Sequence, residues 1–214
     1  MSINNRFSQL FQSLKKLSKE HPIEVIGIVL ALPTTIVAWA SLPKDIREKV
    51  FPERSKTEFT AYENIDYGIS VQYPKDWQVR NIYNPITGEI VEFISPKENN
   101  SDKFQEKVTV TVETKASFTL IEYTNLVKQD ILKNIKNAQI ISESEDILAG
   151  NRSYRVVYTG LNKNIRIKNM DVWNLNNFQA YYVSYNAKED KYDKYLPIVN
   201  DIIKSLQIKA KKSK

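Results

Sequence analysis

Residues 67–77 read YGISVQYPKDW, and this stretch decides how the chain is divided. Ile69 to Tyr73 is short and apolar, as a buried strand requires. Pro74 stops it, because a proline has no N–H to offer a strand ladder. Trp77 follows at once, a side chain that buries a large area at little conformational cost. Tyr73, Pro74 and Trp77 are therefore expected to end a strand and plug a core.

Most of the chain downstream of this point carries strand signals. Gln78–Tyr83 and Ile90–Ile94 flank Asn84-Pro85-Ile86-Thr87-Gly88, which is turn chemistry between two hairpin arms. Val108, Val110 and Val112 alternate with Lys107, Thr109, Thr111 and Glu113 at the period of a half-buried strand. Gly150-Asn151 links Ile141–Ala149 to Arg152–Tyr158, and Asn174–Asn177 links Ile165–Trp173 to Gln179–Tyr185. Tyr154, Val156 and Tyr158 are expected to share one layer with Tyr181, Val183 and Tyr185.

Two stretches switch to helical period. Thr119 and Glu122 form a T-x-x-E capping box, and Leu120, Val127, Ile131 and Ile135 continue an apolar stripe behind it. Tyr192, Tyr195, Leu196, Val199, Ile202, Ile203 and Leu206 follow i, i+3, i+4 spacing, with Pro197 near the regular start. Two amphipathic helices on a largely antiparallel sheet predict an α+β fold.

These residues resemble the PsbP family. Tyr62-Glu63-Asn64 leading to Tyr67-Gly68-Ile69-Ser70-Val71-Gln72-Tyr73-Pro74-Lys75-Asp76-Trp77 is similar to its opening strand and Y-P-x-x-W motif. Phe93-Ile94-Ser95-Pro96, Val108–Glu113, Thr119–Asn137, Ala180–Tyr185 and Leu196–Ile208 resemble its later elements in the same order. The resemblance implies an α/β/α sandwich around an antiparallel sheet. It also implies a non-catalytic role beside a photosynthetic complex, photosystem II first among them; no cofactor is expected, calcium being the one that the resemblance leaves open. The sequence departs from the family in lacking the lipidated cysteine of cyanobacterial relatives and the histidines of reported metal sites.

The front of the chain gives a separate expectation. Ile23–Leu42, IEVIGIVLALPTTIVAWASL, is uncharged from Val25 onward. About 18–20 apolar residues span a hydrocarbon core of roughly 30 Å. Val25, Leu32, Pro33, Trp39 and Leu42 then mark a transmembrane anchor, with Pro33 as a tolerated kink and Trp39 at an interface. The competing reading is a secretory signal cleaved after Ala40. Basic residues on the two flanks nearly tie, so orientation stays open. The organisation expected is a tail over 1–22, a transmembrane helix over 23–42, a charged stalk over 43–58, a PsbP-like domain over 59–208 and a basic tail over 209–214. The localisation expected is a single-pass protein of a thylakoid or plasma membrane, the domain facing lumen or periplasm, with the bilayer as one partner.

Composition narrows the chemistry. No cysteine is present, and His21 is the single histidine, so disulfides, thiolate metal sites and His-based triads are excluded. The five glycines are too dispersed for a phosphate-cradling loop. The net charge of +6 lies in the ends: residues 59–208 carry 18 Lys/Arg against 19 Asp/Glu. That distribution argues against a nucleic-acid partner.

Glu143, Glu145 and Asp146 are the best carboxylate cluster for a hard cation such as calcium. Alternation along a strand, however, puts the two glutamates on one solvated face. Arg155, Arg166 and Lys168 are the candidate basic strip for an acidic partner, which a solvated sheet edge explains as well. No catalytic residue is expected; a buried acid pair involving Asp171 would argue otherwise. The alternative function is a small-ligand or sensor module, favoured by a large pocket between helices and sheet.

Overall fold

The computed structural model describes residues 57–114, 118–176 and 178–209. In chain order the elements are β1 (Phe59–Asn64), β2 (Ile69–Pro74), β3 (Gln78–Asn81), β4 (Glu89–Ile94), β5 (Lys107–Thr114), α1 (Leu120–Asn134) and β6 (Lys136–Leu148). Then come β7 (Asn151–Asn162), β8 (Ile165–Asn176), β9 (Gln179–Lys188), α2 (Tyr192–Ser205) and β10 (Gln207–Ile208). Seven strands form one antiparallel sheet in the order β3-β4-β5-β9-β8-β7-β6, and β1-β2-β10 form a second. The result is a sheet-dominated α+β fold with two helices.

The helices cover opposite faces of the large sheet. Tyr192, Tyr195, Val199, Ile202 and Ile203 of α2 pack with Val108, Val110, Met170, Val172, Val183 and Tyr185. The small sheet joins this cluster through Ile69 and Val71. On the other face Tyr123 and Ile131 of α1 pack with Val156, Tyr158, Trp173 and Ala180. β8 and β9 lie under both helices, which is why Trp173, Val172 and Val183, of alternating direction, are all buried.

Register corrects one expectation. Tyr154 pairs with Trp173, and Trp173 with Tyr182. Those three share the α1 face, so Tyr181, Val183 and Tyr185 point to the α2 face. Side chains alternate with a period of two, so an offset of one residue reverses every assignment along a strand.

The capping box forms, with the Thr119 side chain accepting from the Glu122 amide and the Glu122 carboxylate accepting from the Thr119 amide. Pro197 sits inside α2, where it cannot donate to the carbonyl one turn back. The β6–β7 turn is Ala149-Gly150, one residue earlier than expected, with both φ values positive (50° and 77°). That is the backbone a two-residue hairpin of matching twist needs.

The membrane expectation is corrected. Among the described residues no helix is long and apolar enough to cross a membrane. The run on which the single-pass reading rested (Val25, Leu32, Pro33, Trp39 and Leu42) lies outside the described residues, so the structure supplies no spanning helix to support it.

Candidate functional site

The Y-P-x-x-W residues serve the core. Tyr73 stacks on Phe93 with centroids 4.8 Å apart. Trp77 is 4% exposed and meets Tyr195 of α2 edge-on at 6.0 Å, joining the strand end to the helix.

The three carboxylates of β6 are not gathered. Glu143 pairs with Lys128 of α1, Glu145 with Arg152, and Asp146 with Arg155. Register places Glu143 opposite Val156 and Glu145 opposite Tyr154, on the α1 face, whereas Asp146 lies opposite Ser153 and points the other way. Among the described residues no three His, Cys, Asp or Glu side chains stand close enough to share a metal ion.

Arg155, Lys168 and Arg166 do line up on the α2 face, but each holds an acid. Arg155 binds Asp146 and reaches Asn200 at 3.2 Å. Lys168 contacts Asp193 and sits over the Tyr192 ring at 4.2 Å. Arg166 binds Glu189 through two nitrogens and is the most exposed of the three, its side chain 75% accessible. The strip is basic by residue count and nearly neutral by charge.

A cleft that the sequence did not single out lies between α1 and the sheet. It is open to solvent along one side and has a volume of about 540 Å3. Thr109, Thr111, Asp171, Tyr182 and Ser184 form its floor, and Val127, Asp130 and Ile131 of α1, with Ile135 just past its end, form a wall. Its volume falls in the range of small-molecule sites.

Asp171 is the central group, 2% exposed. The hydroxyls of Tyr182 and Ser184 donate to its carboxylate, the latter at 2.7 Å, and Tyr158 adds a third contact. Burial pushes the Asp171 carboxyl up to about 6, against the downward pull of those hydroxyls. Tyr182 is held well above the usual phenol range by its own burial and then by the neighbouring carboxylate. It also stacks on Trp173 at 5.6 Å, while the Trp173 indole donates to Thr124 of α1 at 3.1 Å. The floor is thereby fixed in place. The partners of Asp171 are hydroxyls rather than a second acid.

At the open side of the same face Glu92 is held between Arg80 and Lys107. Burial raises its carboxyl and the two cations more than offset that, leaving it below the usual range.

The cleft was readable only in part. Met170-Asp171-Val172-Trp173 sets one acid inside an apolar run, and Thr109 and Thr111 put two uncharged hydroxyls between Lys107 and Glu113 on the face opposite the valines. Both are signs of a polar group under cover.

This geometry defines a class before it defines a family: a two-helix α+β module, one sheet face packed solid and the other covering a polar cleft. The chain belongs to the PsbP-like protein family, whose profile matches residues 26–208. Cyanobacterial PsbP (CyanoP) from Synechocystis sp. PCC 6803 is similar in fold, with a TM-score of 0.56 and 16% identity over 73% of this chain and 95% of that one. LpqN, involved in cell envelope biogenesis of Mycobacterium tuberculosis, gives a TM-score of 0.54 and 13% identity over 72% and 91%. No curated protein matches the chain in sequence.

Proposed function

We propose that this chain is a non-catalytic binding protein that docks on a photosynthetic complex, photosystem II first among them, and supports its assembly or stability. The observation that carries the reading is the family match over residues 26–208, together with the fold likeness to cyanobacterial PsbP. Fold alone does not fix function, so the partner follows from family membership and not from a contact. Arg166 is the residue of the basic strip best placed to take part. Its exposed guanidinium can exchange Glu189 for a partner's carboxylate at little cost, because an exposed ion pair is worth at most about 1 kcal/mol.

Affinity purification of the tagged full chain from solubilised photosynthetic membranes, after mild crosslinking, tests the reading. Co-elution of photosystem subunits, reduced by Arg166→Glu, is expected. Recovery of the chain alone after crosslinking would refute it.

A further inference from the structure

The docking role uses the outside of the fold and leaves the cleft under α1 without a task. A carboxylate has about four acceptor positions. The hydroxyls of Tyr158, Tyr182 and Ser184 account for three on Asp171. Two residues along β8, on the same face, Asn169 lies opposite Tyr158 and Asn186, both of which line the cleft. Asn169 is 1% exposed and its Oδ1 has no hydrogen-bond partner. A buried acceptor left unpaired costs about 1–3 kcal/mol, so this floor lacks donors, not acceptors.

The charges around the cleft have the same sense. Asp130 on the helix wall and Glu89 at the rim add to Asp171. Among the described residues the single cation lining the cleft is Lys107, and it is committed to Glu92. An anion would meet acids on three sides. A hard metal ion would find no three carboxylates gathered among the described residues. An ammonium group on a short alkyl stem fits the lining: a donor for Asp171, positive charge for the rim, and Val127, Ile131 and Ile135 against the methylenes.

We infer that the cleft between α1 and the large sheet is a binding site for a small aliphatic amine, with Asp171 as the anchor for its ammonium group. The ligand must find Asp171 ionised. The groups facing it are Tyr158 from β7, Tyr182 and Ser184 from β9, and Tyr123 and Asp130 from α1. Of these only Asp130 is a second carboxylic acid. Affinity is therefore expected to fall as pH drops below about 6.

Calorimetric titration of the full chain with putrescine (1,4-diaminobutane) tests the inference, with 1,4-butanediol as the uncharged isostere. Saturable putrescine binding is expected, with at least about a tenfold preference over the diol. Asp171→Asn should weaken it by a similar factor. Leu126→Trp, a change on the half-exposed helix wall, should block the cleft while leaving Asp171 intact. It keeps the test open if the first variant fails to fold. No saturable binding, equal binding of the diol, or binding unchanged in Leu126→Trp would each overturn the inference. These results do not touch the docking reading, which crosslinking tests separately.

Discussion

The two faces of the large sheet are built from the same strands and do different work. The α2 face is filled by apolar side chains from α2, both sheets and the Y-P-x-x-W turn. The α1 face holds a smaller aromatic cluster around Trp173 and, beside it, hydroxyls and one buried carboxylate open to a cleft. A strand can serve both because adjacent residues point to opposite sides: Val172 and Val183 enter the packed core while Asp171 and Ser184 line the cleft. Stability concentrated on one face leaves the other able to carry polar groups that a close-packed core would not tolerate.

The sharpest way to break this contrast is at the packed face. Ile202→Ala removes a fully buried side chain where neighbours from α2 and the sheet cannot collapse inward, and should cost about 2–5 kcal/mol in chemical denaturation. A loss under about 1 kcal/mol would show that this face is loosely filled.

The cleft face predicts a pH dependence of opposite sense to ordinary acid denaturation. The folded chain keeps the Asp171 proton up to about pH 6, whereas the unfolded chain releases it near the usual carboxylate value. The folded state thus binds more protons between those limits, and its stability falls as pH rises from about 4 to 6, then levels off. The full effect is on the order of 3 kcal/mol. Asp171→Asn should flatten that slope in urea titrations at stepped pH. A wild-type curve with no greater fall than the variant's would remove the buried-acid account.

Gly88 probes the cleft's margin. It has φ of +72°, and an added Cβ would lie 2.7 Å from the Val112 carbonyl oxygen, so Gly88→Ala should cost about 1–3 kcal/mol in thermal unfolding. Equal stability would mean that the β3–β4 turn shifts freely. The smallest effect belongs to the wet edge. Arg152→Ala breaks an exposed pair with Glu145 and should change stability by under about 1 kcal/mol at moderate salt.

How much of this was legible in the sequence depends on range. The capping box at Thr119, the helix at Tyr192 and the strand that Pro74 closes rest on neighbours a few residues away, and all three formed. The side to which Tyr181 points depends on register against a strand far off in sequence, which alternation within one strand cannot fix. The Tyr62–Trp77 opening pointed to the family correctly. The carboxylates of β6 looked like a cluster because they are close in sequence. Strand geometry sends Asp146 away from Glu143 and Glu145, and each finds a cation. Asp171 stood out only by its apolar neighbours, since its partners come from two other strands.

Binding of a small amine is assigned to the α1 face and not to the packed one. Two-dimensional NMR of the full chain titrated with putrescine tests this most directly. Shifts are predicted to concentrate at Asn169, Asp171, Ser184 and Ile131, leaving Val199 and Ile202 in place. Shifts centred on α2, or none at saturating putrescine, would contradict it.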